Sequence, residues 1–317
     1  MKLIKPKFWD QKKPNLIAYL LFPFTFFIRL NNFFLKIKSK KIYKEIKTIC
    51  VGNIYLGGTG KTPTVLKIYQ LLKNDLKVVT AKKFYIDQKD EQIILKEKSK
   101  FLTYKNRKEI IENSIKKDLD LIIFDDGLQD NNINYNLNFV CFDSHNWIGN
   151  GCLIPSGPLR EKLTSLKNYD AVFIKLIEKN ANLTKIYSTI KNINPEIEIF
   201  NSLVQIKNID KFDLTKKYVV FSGIGNAKSF KSLLLKNNFN VIKEIIFPDH
   251  HNYKINEIEN ILNKAEELKA KLITTEKDFV KLPNNFKNLI NFLDIELKIL
   301  EEDKLIKFIK SKIYETN

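Results

Sequence analysis

The stretch from Lys47 to Leu72, KTICVGNIYLGGTGKTPTVLKIYQLL, constrains the fold of this chain more than any other. An apolar run, Thr48 to Val51, reads as a buried strand. A glycine-rich turn follows, and then Val65, Ile68, Leu71 and Leu72 recur at helical spacing. Between strand and helix lies Gly57-Gly58-Thr59-Gly60-Lys61-Thr62, the core of a phosphate-binding loop. Glycines let the backbone turn tightly and aim several N–H groups at one phosphate, at the positive end of the new helix. Lys61 is then placed to reach β- and γ-phosphates, and Thr62 to offer its hydroxyl to magnesium. Pro63 suits the first turn, where N–H groups have no helical partner. The strict pattern has glycine where this chain has Tyr55, so an ordinary glycine turn is the competing reading. The order strand, loop, Lys-Thr, helix favours the phosphate loop. A nucleoside triphosphate is the expected ligand, contacted by Tyr55, Leu56, Gly57, Gly58, Thr59, Gly60, Lys61 and Thr62.

A second strand is expected over Lys77 to Ala81, and the polar run Lys82 to Gln92 reads as a loop. Leu121 to Phe124 is a buried strand that ends in Asp125-Asp126-Gly127. Two acids closing a dry strand are costly unless a cation sits there. In phosphate-loop enzymes such an aspartate holds Mg²⁺, so Asp125 and Asp126 join Thr62 as candidate metal ligands. A turn or helix cap accounts for one of the acids, not both. Phe139 to Phe142 is another buried strand. The glycine- and proline-dense segment Ile148 to Glu161 is then a shaped loop, ending in Arg160-Glu161. Arg160 is suited to stabilise a transferring phosphoryl group and Glu161 to complete a metal shell, or the two form an ion pair within the loop.

Composition sharpens one point. The chain has 317 residues and a net charge of +18, which suits acidic partners such as nucleotide, nucleic acid or an anionic membrane face. Of 54 basic residues only Arg29, Arg107 and Arg160 are arginine, which marks positions where a planar, bidentate donor is wanted. Cys50, Cys141 and Cys152 lie at no metal-ligand spacing and read as core thiols of a reducing compartment.

Leu16 to Ile28, LIAYLLFPFTFFI, carries no charge and continues through Phe33, Phe34, Leu35 and Ile37, with lysines on both flanks. A spanning helix needs about 20 apolar residues, and Pro23 interrupts this one. An interfacial helix on anionic headgroups is the expectation, with a helix packed on the protein's own core as the alternative.

The C-terminal part begins near Thr215. Tyr218 to Ser222, Ala227 to Lys236 and Val241 to Phe247 form an expected βαβ unit. Glu257 to Lys269 is an amphipathic helix, Leu272 to Thr275 a last parallel strand and Asp303 to Ile313 a closing helix. Gly223-Ile224-Gly225 lacks the third glycine and the acid of a dinucleotide site.

Taken together, VGNIYLGGTGKTP, DDGLQD, GNGCLIPSGPLRE, FPDHHNY and TTEKDFVKL resemble, in order, the motifs of the tetraacyldisaccharide 4′-kinase family of lipid A biosynthesis. The resemblance implies a P-loop NTPase-like parallel-sheet domain, a smaller C-terminal α/β domain and an N-terminal membrane-associating helix. The expected divisions are residues 1–40, 41–205 and 206–317. It implies transfer of the γ-phosphate of ATP, with Mg²⁺, to the 4′-hydroxyl of an acylated glucosamine disaccharide 1-phosphate. Asp90 falls at the position of the family's base for the sugar hydroxyl, and His250 at that of its partner, with His251 the adjacent alternative. Arg107 falls where the family keeps an arginine near the phosphates, and Gln129 within the motif beside the nucleotide. Lys61 and Arg160 complete the implied catalytic set. A peripheral monomer at the cytoplasmic face of the inner membrane, with no nucleic-acid partner, is the implied setting. Two departures stand out: Thr80-Ala81-Lys82-Lys83-Phe84-Tyr85 stands where the family has SRGY, and Asp130 replaces the histidine that ends DDGLQH. A P-loop ATPase dependent on another polyanion, or a catalytically lapsed nucleotide-binding member, is the alternative.

Overall fold

The computed structural model describes every residue except 1–4, 38, 39, 131, 177–182 and 315–317, and not the side chains of 33–37. Helices α1 (Leu16–Leu21) and α2 (Thr25–Ile37) precede β1 (Lys47–Gly52), α3 (Lys61–Leu72), β2 (Val78–Lys83) and α4 (Lys89–Lys98). Next come β3 (Phe101–Tyr104), α5 (Arg107–Lys116), β4 (Leu121–Asp125), β5 (Leu137–Asp143), β6 (Ala171–Leu176), α6 (Thr184–Ile193) and β7 (Glu198–Ile206). The chain continues through β8 (Lys217–Ser222), α7 (Ala227–Lys236), β9 (Asn240–Ile246), α8 (Ile255–Glu267), β10 (Lys271–Thr275) and α9 (Glu276–Phe279). It closes with α10 (Asn284–Lys287), β11 (Asn291–Leu293), β12 (Ile295–Ile299) and α11 (Glu302–Tyr314).

Two compact units emerge. The larger comprises Pro6–Phe84, Leu95–Leu203 and the chain from Leu297 onward; the smaller includes Tyr85–Ile94 and Val204–Glu296. Both the short segment 85–94 and the closing helix α11 therefore fall outside the contiguous division read from the sequence.

The larger sheet has the order β12-β7-β6-β5-β1-β4-β2-β3. From β7 to β3 every neighbouring pair is parallel. Parallel strands are covered on both faces, which is why β4 is buried throughout and reads as an unbroken apolar run. Helix α3 turns Val65, Ile68 and Leu72 inward as its spacing announces, with Tyr69 buried beside them and Leu71 only half-buried. Strand β1 lies between β4 and β5 at the reversal of strand order, where open α/β sheets hold ligands at their C-terminal edge.

The smaller sheet, β11-β10-β8-β9, is also parallel throughout. Helix α8 packs Ile258, Ile261 and Ala265 into its core with Val219, Phe221 and Tyr253. The βαβ reading of β8-α7-β9 stands, but β10 is not the last parallel strand, because β11 pairs with it.

One local expectation was wrong at a consequential place. Residues 82–92 are not a loop: β2 runs to Lys83, and α4 starts at Lys89 with Asp90 and Glu91 in its first turn. A polar helix gives no apolar period, and acids in its first turn are favoured by the helix dipole.

Candidate functional site

In the larger unit, Gly60 caps α3 with φ near +89°, a left-handed conformation in which a side chain would be strained, and Lys175 closes in on the same side. Lys61 extends from the loop, its Nζ 3.3 Å from Asn53 Oδ1 and 3.2 Å from Asp126 Oδ2. Thr62 donates its hydroxyl to Asp125 Oδ2 at 2.8 Å. Register explains the meeting: Val51 of β1 is level with Asp125 of β4, so the loop after one strand opens beside the acids that end the other.

The cost of two acids at the end of a dry strand is met within the chain. Asp125 is fully buried and pairs with Lys82 Nζ at 3.1 Å, itself fully buried. Asp126 has Lys61 on one oxygen and Arg160 Nη1 at 3.4 Å from the other. Lys82 was legible only as a departure from SRGY; its position as partner to Asp125 was not foreseen. The available signal was the parallel pairing of β2 with β4, which sets Ala81 level with Phe124 and so the next residues, Lys82 and Asp125, side by side.

Arg107 was expected at the phosphates. Its guanidinium clamps the turn after β4. Nη1 donates to Asp130 Oδ2 at 2.7 Å and Nη2 donates to the carbonyl of Asp126, whose backbone is left-handed at φ +60°. Gly127 makes room for this: a Cβ there would meet Tyr135 Oη, Cys50 Sγ and Arg107 Nε within about 3 Å. Burial alone would push the Asp130 carboxyl up, but the Asn132 N–H and the Arg107 guanidinium outweigh it and hold the acid below the usual carboxylate range. The residue that replaces the family's histidine is thus the counter-ion of Arg107.

Gln129 links the remaining groups. Its Nε2 donates to the Asn53 carbonyl at 3.1 Å and to Glu161 Oε1 at 2.9 Å, while its Oε1 accepts from Arg160 Nη1 at 3.2 Å. Glu161 Oε2 accepts from Tyr169 Oη, so both its oxygens are engaged away from Thr62 and Asp125. Tyr55 is buried with Leu153 and Leu159 and donates to Asp10, while Leu56 N binds the Pro158 carbonyl. These two residues lace the phosphate loop to the 148–160 loop. Cys50 and Cys141 are core thiols, the latter pushed up to about 12 by burial.

The smaller unit holds the second constellation. Asp90, 2 % exposed, has both carboxylate oxygens 3.0 Å from His250 Nδ1. Lys277 Nζ lies 3.0 Å from Glu91, 3.3 Å from His250 Nε2 and 3.9 Å from Asp90. Lys281 Nζ is 3.8 Å from Asp90 and is held by the fully buried Asp278 at 2.8 Å. Burial works to raise the Asp90 carboxyl, but the His250 hydrogen bond and the Lys277 charge prevail and keep it below its ordinary value. His251, the adjacent alternative, pairs with Glu257 at 2.9 Å, so the structure selects His250 as the partner of Asp90. Neither lysine was singled out in the sequence, where TTEKDFVKL served only as a family signature.

Helices α1 and α2, with the short turn between them, expose Leu16, Tyr19, Leu20, Phe24, Phe26 and Phe27, each more than half accessible. Phe33, Phe34, Leu35 and Ile37, part of the same expectation, have side chains outside the described set. The helices are tied to the loop that ends in Arg160. Trp9 Nε1 donates to the Pro155 carbonyl, Ser156 Oγ to that of Ala18, and Asn32 Nδ2 to that of Arg160. Among the described residues no helix is long and apolar enough to cross a membrane.

Known proteins resemble this chain over nearly its whole length. The family model for tetraacyldisaccharide-1-P 4′-kinase matches residues 16–314. A tetraacyldisaccharide 4′-kinase of Pelagibacter ubique is 44 % identical over 97 % of this chain and 98 % of its own length. One from Rickettsia canadensis is 36 % identical over 99 % of each. Among solved structures, LpxK of Aquifex aeolicus in complex with ATP superposes with a TM-score of 0.68, covering 94 % of this chain and 100 % of that one at 21 % identity. That last likeness concerns the fold.

Proposed function

The chain belongs to the tetraacyldisaccharide-1-phosphate 4′-kinase family, a lipid kinase of lipid A biosynthesis, and from that premise we propose how its side chains divide the reaction. ATP is the donor. Its β- and γ-phosphates are received by the backbone N–H groups of residues 57–62 and by Lys61. Thr62 Oγ1 and Asp125 Oδ2, 2.8 Å apart, offer the neighbouring hard oxygens that Mg²⁺ prefers, so the residues present fit the ion. Mg²⁺ would neutralise charge on the phosphates. Glu161 is assigned to positioning Gln129, and through it Arg160, in place of the metal shell first expected of it. Lys61 and Arg160, both already gathered by Asp126, take up charge on the γ-phosphoryl oxygens.

Asp90 accepts the proton of the 4′-hydroxyl as that oxygen bonds to the γ-phosphorus and the bond to ADP breaks. A carboxylate held by His250 is oriented for the task. The acylated acceptor comes from a membrane, and the exposed apolar residues of α1 and α2, flanked by lysines, dock the protein at its anionic cytoplasmic face as a peripheral monomer. The observation that carries the reading is the meeting of Lys61, Thr62, Asp125, Asp126 and Arg160 at the ends of β1 and β4.

The test is transfer of labelled γ-phosphate to a tetraacyldisaccharide 1-phosphate in mixed micelles. Lys61→Ala and Asp90→Ala are expected to lose on the order of 10²–10⁴-fold in kcat. Transfer undiminished in Asp90→Ala would discard the base, and ATP turnover driven only by added nucleic acid would discard the acceptor.

A further inference from the structure

We infer that Lys277 is a positioning residue that fixes the tautomer of His250, with Nε2 accepting from the ammonium and the ring proton on Nδ1 toward Asp90. The inference rests on the reading of Asp90 as the base and deepens it.

The argument begins with donors and acceptors. A lysine ammonium only donates, whereas a neutral imidazole has one donor and one acceptor nitrogen. Lys277 Nζ lies 3.3 Å from His250 Nε2. Were Nε2 protonated, two positively polarised N–H groups would point at one another across that distance. Lys277 keeps its own proton: burial works against the charge, but Glu91, Asp249 and Asp90 together push the ammonium well above its ordinary value. Nε2 is therefore the acceptor. The proton then resides on Nδ1, which is 3.0 Å from both oxygens of Asp90.

The surroundings favour the same state. Glu91 and Asp249 each lie 3.9 Å from Nε2, too far to hydrogen-bond it, while both lie nearer to the intervening ammonium. Lys281, held by Asp278, adds a second positive charge beside Asp90. His251 is engaged with Glu257. The backbone of His250 is left-handed at φ +56°, and its N–H donates to the Gly223 carbonyl, so the ring is aimed by a conformation that non-glycine residues seldom adopt.

The consequence is chemical. With Nδ1 already carrying a proton, His250 has no lone pair facing Asp90 and cannot relay the proton that Asp90 takes from the hydroxyl. That proton remains on the carboxyl until it leaves to water, and His250 acts by orientation alone. Phosphoryl transfer gains a base fixed in place without becoming a two-proton relay.

The chain has three histidines, so selective ¹⁵N-histidine labelling of the full-length protein gives an assignable spectrum, with His250→Gln identifying the signal. In wild type near neutral pH, His250 is expected to show a protonated Nδ1 and an unprotonated Nε2. In Lys277→Met the unprotonated Nε2 signal is expected to weaken as the tautomers mix, and Lys277→Arg is expected to restore it. Turnover should follow: about a tenfold fall in kcat for Lys277→Met, within the usual contribution of acid–base positioning. KM for ATP should not change. The acid limb of kcat/KM for the acceptor should move to higher pH, because the lost charge no longer holds Asp90 down. A wild-type proton on Nε2, or an unchanged tautomer in Lys277→Met, overturns the inference. Because the nitrogen shifts are read without turnover, they decide the tautomer independently of Asp90→Ala, which decides the base.

Discussion

At the scale of single residues, the phosphate site solves a charge problem with partners drawn from separate strands and loops. Lys82 and Asp125 are both excluded from solvent, and removing one member of such a pair strands the other. Lys82→Met should therefore lower unfolding free energy by about 3–5 kcal/mol. Lys82→Met with Asp125→Leu should recover much of that loss in urea denaturation while leaving no kinase activity. A failure of the double variant to recover would mean that shape, not charge, governs the site. Asp130 offers a pH-dependent check. Its carboxyl is depressed in the folded protein, so its stabilisation is complete above the unfolded value of about 4 and is lost as pH falls through the lower folded value. The Tm gap between wild type and Asp130→Asn should be open at pH 7 and close below about pH 4. Site residues that a local pattern names, from Gly57 to Thr62 and Asp125 with Asp126, were legible in the sequence. Lys82 and Lys277 were not, because their roles depend on partners set by strand register or by packing across a long sequence separation.

At the scale of elements, legibility followed burial. Strands β1, β4 and β5 are buried at nearly every position around apolar runs and announced themselves, as did the amphipathic α8. Helix α4, which carries Asp90, passed for a loop because polar contacts define it, such as Gln92 Nε2 to the carbonyls of Tyr85 and Gln88. Helix α5 went unread although its signal was present: Asn106 accepts from Glu109 N and donates back to the Glu109 side chain, a reciprocal cap. Asn106→Ala should cost about 1 kcal/mol, seen by thermal melting, and loosen the start of the helix that carries Arg107. For α1 and α2 the expected outcome concerns partition. Leu20→Asp with Phe27→Asp, at two exposed positions, should sharply reduce sedimentation with anionic vesicles and leave Tm nearly unchanged. Undiminished sedimentation would remove these helices from the proposed docking face.

At the scale of the whole molecule, the larger unit is discontinuous in sequence, and its final portion is structural. Leu297, Ile299, Leu305, Ile309 and Ile313 are all buried, and Phe308 packs on Phe139 and Phe200. Burial of each aliphatic side chain is worth roughly 1.5–3 kcal/mol, so together they rival the roughly 5–15 kcal/mol that holds an average domain together. A chain stopped after Glu296 should lose the cooperative thermal transition of the larger unit in circular dichroism, though every phosphate-site residue is still encoded. This arrangement has a consequence for biosynthesis. The ribosome makes the phosphate loop well before the stretch that secures its sheet, so through much of translation the nascent chain carries a nucleotide site without the packing to hold it.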